Sequence, residues 1–91
     1  MIKVIIVDDQ EFFSLGVRTA LENRCPDICV VGEAASGADF FSLIETVDAD
    51  IVLLDIGLPD MSGLDIARRL KTGRPEIKIL VISADNATSV V

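Results

Sequence analysis

The sequence contains no histidine and few aromatic, cysteine or basic residues. Aromatic side chains make up only 4% of the 91 residues, although 51% are hydrophobic. The core must therefore be aliphatic, which is typical of a Val/Ile/Leu-rich sheet that is covered on both faces. Cys25 and Cys29 are the only cysteines, and without histidine a zinc site would lack two of its usual ligands. We interpret them as two reduced thiols.

Basic charge is also scarce. Eight basic residues against 15 acidic ones give a net charge of −7, so no basic surface remains to displace the counterions of a nucleic acid. The composition therefore argues against DNA binding by this chain. Any such role must belong to another part of the protein.

Long apolar runs are absent as well. The N-terminus enters an apolar stretch at once and carries neither a separate basic segment nor a small-residue cleavage site, so it indicates a strand rather than a signal peptide. No run approaches the roughly 18 residues that a membrane span needs. These features predict a cytoplasmic protein without membrane contact.

Short apolar runs alternate with helical patterns along the chain. We predict strands at residues 3–7, 29–34, 51–54 and 77–82, with helices at 11–23, 37–47 and 63–71. This alternation is typical of βαβ units, and it predicts an α/β fold with a doubly wound parallel sheet. Residues 85–91 look like the cap and first turn of a fourth helix. We expect one domain over residues 1–91 that is incomplete at its C-terminus.

Two helix starts carry specific capping signals. Ser36 is followed three residues later by Asp39, and Ser62 by Asp65, a spacing that resembles a capping box. The first helix has an apolar stripe at Phe13, Val17 and Leu21.

Acidic side chains follow the first and third predicted strands. Asp8 and Asp9 come after the first, Asp55 after the third, and Ser83 after the fourth. Ligand chemistry in an open parallel sheet collects at the carboxyl ends of its strands. Each residue also has a plain structural explanation, because an aspartate can cap the next helix or lie solvated in a loop, and a serine can serve a turn.

Together, the carboxylates favour a metal site. Two unit charges about 4 Å apart repel by about 4 kcal/mol at an effective dielectric of 20, so a cation is needed to hold several of them at one edge. Mg²⁺ is the natural candidate, because it takes hard oxygen ligands from one or two carboxylates and keeps several waters. A carboxylate beside Mg²⁺ in an open crevice favours phosphoryl chemistry with an aspartyl phosphate as product.

Three segments resemble the receiver domain of bacterial response regulators. They read VIIVDD at residues 4–9, IVLLDIGLPDMSG at residues 51–63 and ILVISA at residues 79–84. The second is the most specific, since its Pro59 and Gly63 shape the loop that leads into the third helix. The resemblance is continuous over the whole chain, and it implies a flavodoxin-like fold with strand order 2-1-3-4-5.

The resemblance also implies the roles of the site residues. Asp55 would accept a phosphoryl group from a sensor histidine kinase. Asp9 and Asp55 would ligate Mg²⁺ directly together with the backbone carbonyl of Gly57, and Asp8 would act through water. Ser83 would hydrogen-bond the phosphoryl group. Such a chain is not an enzyme in the ordinary sense but a phosphoacceptor that assists its own phosphorylation.

Residues 17–21 and 58–63 resemble the subfamily with a C-terminal helix-turn-helix, which implies a DNA-binding output domain beyond this chain. A complete receiver also has a fifth parallel strand, with a lysine that contacts the phosphoryl oxygens. We expect that strand and its helix to be missing here. The fourth strand would then present an open edge, and edges of this kind invite self-association.

Three alternative functions are left open. A phosphatase of the haloacid-dehalogenase type needs a second acid two residues after the nucleophile, where this chain has Gly57. A flavin- or nucleotide-binding protein needs a phosphate-cradling loop after the first strand, where this chain has acids instead. The third alternative is a non-signalling receiver fragment that acts only as a self-associating interaction module.

Overall fold

The computed structural model describes residues 1–82 and 88–90, the last three by their backbone. The strands and helices alternate along the chain, as predicted, up to β4. Their bounds are β1 Ile2–Val7, α1 Glu11–Arg24, β2 Ile28–Ala34, α2 Gly37–Ile44, β3 Ile51–Asp55, α3 Gly63–Gly73, β4 Lys78–Ile82 and β5 Thr88–Val90. None of the helices in this part of the chain has the length and apolar character that a membrane span requires.

The sheet has the order β2-β1-β3-β4-β5. The first four strands are parallel, which confirms the predicted flavodoxin-like arrangement. β3 is central: Val52 pairs with Ile5 on one side and Ile79 on the other. This topology brings the carboxyl ends of β1, β3 and β4 side by side.

Alternation along the strands creates two apolar layers. Ile5, Val52 and Ile79 are completely buried in the larger core, which α2 and α3 cover with Phe40 and Ile66 among others. The opposite face of the sheet packs against α1 through Val17 and Leu21. The predicted stripe of α1 is only partly confirmed, because its first member, Phe13, is 42% exposed.

The two predicted capping signals are confirmed. The hydroxyl oxygen of Ser36 accepts a hydrogen bond from the Asp39 amide at 3.1 Å, and that of Ser62 accepts one from the Asp65 amide at 3.2 Å. Each serine is the N-cap of its helix. α2 ends at Ile44 rather than at residue 47, because the chain turns immediately after it.

One prediction for the end of the chain is wrong, and a second, the open β4 edge, is wrong in part. Residues 88–90, predicted to lie in a helix, form β5 and pair antiparallel with Leu80–Ile82. β5 therefore covers the β4 edge at Leu80–Ile82 but not at Lys78 and Ile79, and self-association through this edge stays a prediction. Unpaired backbone groups of an edge strand favour such pairing, and the threonine and valine of β5 favour extended structure.

Candidate metal centre

Asp8, Asp9 and Asp55 come together at the carboxyl edge of the sheet. Asp8 and Asp9 directly follow β1, and Asp55 is the last residue of β3. One carboxylate oxygen of each residue lies within 4.8 Å of those of the other two. The structure therefore brings together all three predicted carboxylates. Ser83, the predicted phosphoryl partner, lies outside the described residues.

The alternative role of Asp8 and Asp9 as helix caps is not supported. The N-cap of α1 is Gln10, whose side chain makes no capping hydrogen bond. Asp8 instead accepts a hydrogen bond from the Gln10 amide at 2.7 Å, which orients its carboxylate within the turn after β1. Capping thus does not explain why these two acids stand beside Asp55.

Asp8 is the most enclosed acid of the cluster, with 9% of its surface exposed. Burial raises the pKa of Asp8, because desolvation penalises the charged form, and repulsion by Asp55 and Asp9 raises this pKa further. The hydrogen bond from Gln10 acts in the opposite direction. A cation between the three carboxylates would relieve the repulsion.

Among the described residues, the arginines that form ion pairs do so away from the acidic cluster. The ion pairs join Arg18 to Glu22 and Glu33, Arg68 to Asp65, and Arg74 to Asp48 and Glu76. Within this part of the chain, none of them involves the cluster. Three hard oxygen donors at an accessible edge form a donor set that suits Mg²⁺.

Gly57 follows Asp55 by two residues. Its amide donates a hydrogen bond to Oδ1 of Asp55 at 3.2 Å, so the start of the β3–α3 loop is folded against the acidic edge. This contact places Gly57 beside the cluster. Its predicted role as a carbonyl ligand stays a prediction.

An open pocket of about 360 Å³ adjoins the cluster between α1 and the end of β2. Asp8 and Asp9 line it together with Glu11, Ser14 and Glu33. The last three residues were not predicted to lie near the site. Glu11 and Ser14 lie on α1, whereas Glu33 lies on β2. No local sequence pattern predicts that they line one pocket, because they come together only when α1 packs beside β2.

Comparison with known proteins decides the family. The profile of the response regulator receiver domain matches residues 4–91. The chain belongs to the response regulator receiver domain family. The nitrate/nitrite response regulator protein NarL of Escherichia coli strain K12 is 35% identical over 83 residues, which cover 91% of this chain and 38% of NarL. The response regulator protein VraR of Staphylococcus aureus strain Mu3 is also 35% identical, over 91% of this chain and 39% of VraR.

A solved receiver structure agrees with the fold. RcsB from Salmonella enterica serovar Typhimurium, bound to promoter rprA in the presence of phosphomimetic BeF3−, superposes with a TM-score of 0.85 at 27% identity. The match covers 96% of this chain and 72% of the RcsB chain. This chain spans about two fifths of the full length of NarL and VraR.

Asp8→Asn is expected to change how the metal-free receiver responds to pH. Because the folded pKa of Asp8 is raised, its contribution to stability is fully present below the unfolded pKa of about 3.9 and is lost as the pH rises through the folded pKa. Asparagine keeps an acceptor for the Gln10 amide but does not ionise. Urea unfolding in EDTA across this range should show the wild type losing stability relative to Asp8→Asn. A constant difference would contradict this assignment.

Proposed function

We propose that this receiver takes a phosphoryl group onto Asp55 with the help of Mg²⁺. The observation that carries the proposal is the convergence of three carboxylates within 4.8 Å at the carboxyl edge of a receiver fold. Asp9 and Asp55 would hold the ion directly with the Gly57 carbonyl, and Asp8 would act through water. When bound, the ion would neutralise negative charge on the transferring phosphoryl oxygens.

The proposed transfer is a nucleophilic substitution at phosphorus by the Asp55 carboxylate. A carboxylate oxygen of Asp55 attacks phosphorus, an O–P bond forms, and the bond from phosphorus to the donor atom breaks. The amide of Gly57 orients the Asp55 carboxyl group through its hydrogen bond to Oδ1. Ser83 would then donate a hydrogen bond to a phosphoryl oxygen. The receiver is in this proposal a phosphoacceptor and not a turnover enzyme.

The proposed donor is the phosphohistidine of a sensor histidine kinase. The bond that breaks is then the N–P bond of the donor imidazole. The proposed destination of the signal is a DNA-binding output domain outside this chain, which the promoter-bound RcsB supports. The net charge of −7 is consistent with DNA binding by a separate domain, because an acidic chain has no basic surface for the DNA phosphates. A cytoplasmic location and self-association stay predictions.

The proposal is tested by the intact mass after incubation with acetyl phosphate. With Mg²⁺ we expect one added phosphoryl group, and with EDTA in place of Mg²⁺ we expect none, since nothing then offsets the charge of the carboxylates and the phosphoryl oxygens. Equal uptake with and without the metal would refute the role of Mg²⁺. No uptake under either condition would favour the non-signalling interaction module.

Asp9→Ala is expected to abolish Mg²⁺ binding while making the metal-free fold slightly more stable. Loss of a direct ligand should weaken affinity by more than about a hundredfold, since even indirect partners of metal ligands account for about 10–100-fold. Removing one of three repelling charges should raise the free energy of unfolding in EDTA by less than about 1 kcal/mol, because exposed charges are screened. Calorimetric titration and urea unfolding measure the two effects.

The matched control for that variant is Glu11→Ala. Glu11 lines the neighbouring pocket but is not among the three clustered carboxylates. We expect it to keep nearly wild-type affinity for Mg²⁺. Equal losses in Asp9→Ala and Glu11→Ala would mean that the ion responds only to the general negative charge of this surface.

A further inference from the structure

The loop between β3 and α3 is tied to the start of α2 by one side chain. Oδ1 of Asp60 accepts a hydrogen bond from the Gly37 amide at 2.8 Å, and Oδ2 accepts one from the Ala38 amide at 2.9 Å. These two amides belong to the first turn of α2, whose N–H groups have no partner inside the helix. Asp60 therefore joins two segments that are more than 20 residues apart in the sequence.

This contact is distinct from the helix's own cap. Ser36 already accepts the Asp39 amide, so Asp60 and Ser36 bind different N–H groups of the same turn. Hydrogen bonds from Gly37 and Ala38 hold the pKa of Asp60 below its usual range. The carboxylate thus stays ionised at neutral pH, where the helix N-terminus favours negative charge.

Other contacts hold the loop at both ends. A Cβ added to Gly37 would lie 2.5 Å from Cγ of Met61, so the loop residue after Asp60 packs directly on α2. At the far end, a Cβ added to Gly63 would lie 2.7 Å from the carbonyl oxygen of Asp55. By contrast, a Cβ added to Gly57 would meet nothing within 4 Å. Gly57 has no such packing contact, and its amide is held by the hydrogen bond to Oδ1 of Asp55.

We propose that Asp60 is a positioning residue of the metal centre. By fixing the β3–α3 loop on α2, it holds Gly57 and Asp55 in the arrangement that the ion needs. Mg²⁺ demands near-ideal octahedral geometry, so small shifts of a backbone carbonyl weaken its binding. The inference rests on the proposed function, because it assigns to Asp60 a role toward the same ion.

The test compares Asp60→Ala with Ser36→Ala. Both variants remove acceptors from the first turn of α2, but only the first releases the β3–α3 loop. We expect Asp60→Ala to weaken Mg²⁺ affinity about tenfold, the lower end of the range for residues behind the ligands. Ser36→Ala should lose thermal stability and keep wild-type affinity. Amide NMR titration with Mg²⁺ gives the affinities, and circular dichroism gives the melting temperatures.

A second variant, Asp60→Asn, tests the same role with a smaller change to the fold. Asp60→Asn preserves the shape of the side chain and can still accept from one of the two amides, whereas its NH₂ group cannot accept from the other. We expect its Mg²⁺ affinity to lie between those of the wild type and Asp60→Ala. Unchanged affinity in both Asp60 variants, or an equal loss of affinity in Ser36→Ala, would overturn the positioning role.

Hydrogen exchange in EDTA supplies a readout that does not depend on the metal. The Gly57 amide donates a hydrogen bond to Asp55, which should slow its exchange, and we expect Asp60→Ala to speed this exchange while Ser36→Ala does not. If the wild type binds no Mg²⁺, the proposed function fails, but this exchange rate still decides whether Asp60 holds the loop. Unchanged exchange at Gly57 in Asp60→Ala would overturn the inference.

Discussion

Asp55→Asn is expected to take up no phosphoryl group from acetyl phosphate in the presence of Mg²⁺, while the fold persists. The substitution replaces a nucleophilic carboxylate with a neutral amide that does not attack phosphorus. In the wild type the Gly57 amide donates a hydrogen bond to Oδ1 of Asp55. The side-chain oxygen of asparagine can still accept that hydrogen bond. One charge of a crowded cluster is also removed, so the metal-free stability should not fall. Intact mass and circular dichroism measure these outcomes.

Asp50→Asn is the matched control for the acceptor. Asp50 directly precedes β3 and thus lies at the opposite end of the same strand, where its carboxylate accepts the Lys3 amide at 2.8 Å. An asparagine can keep that bond. We expect wild-type phosphoryl uptake in this control. Retained uptake in Asp55→Asn would show that another residue is the acceptor.

Val52→Asp is expected to unfold the receiver. Val52 is completely buried in the central strand, between β1 and β4. A carboxylate there would have to stay charged without a partner or bind a proton, and we expect a loss of more than about 4 kcal/mol. Small domains have about 5–15 kcal/mol of stability in total, so the folded population should nearly vanish. Far-UV circular dichroism and amide NMR dispersion measure the loss.

Leu64→Asp provides the control for the chemical change itself. Leu64 is 46% exposed and is the second residue of α3, where negative charge interacts favourably with the helix N-terminus. We expect this variant to fold. A folded Val52→Asp protein would mean that β3 is not the central buried strand, and an unfolded Leu64→Asp protein would mean that the chain tolerates no new charge at all.

The parallel strands could be predicted because a strand that is buried on both faces of the sheet needs apolar residues at nearly every position. β1 and β3 are nearly continuous runs of Val, Ile and Leu, which is what a strand covered by helices on both sides requires. The starts of α2 and α3 could be predicted from Ser36 and Ser62, because a cap is a contact between near neighbours in the chain. The end of α2 was placed three residues too late, since Val47 lies four residues after Leu43 and continues the apolar spacing of the helix beyond its last residue, Ile44.

The carboxylate cluster was also predictable, for a topological reason. Residues that follow parallel strands share one edge of the sheet, so Asp8, Asp9 and Asp55 had to approach one another once those strands were neighbours. The family resemblance supplied the roles that geometry does not test. Those roles, including that of Ser83, stay predictions.

The sequence alone determined the alternation of strands and helices, the buried sheet and the acidic edge, because each depends on local patterns or on strand order. Only the tertiary structure decided the pairing of β5 with β4 and the bridge from Asp60 to α2. Residues 88–90 read as helix in isolation, yet an edge strand offered them backbone partners. The partners of Asp60 lie 22 and 23 residues earlier, and no local pattern encodes a hydrogen bond that exists only after two separate segments have packed together.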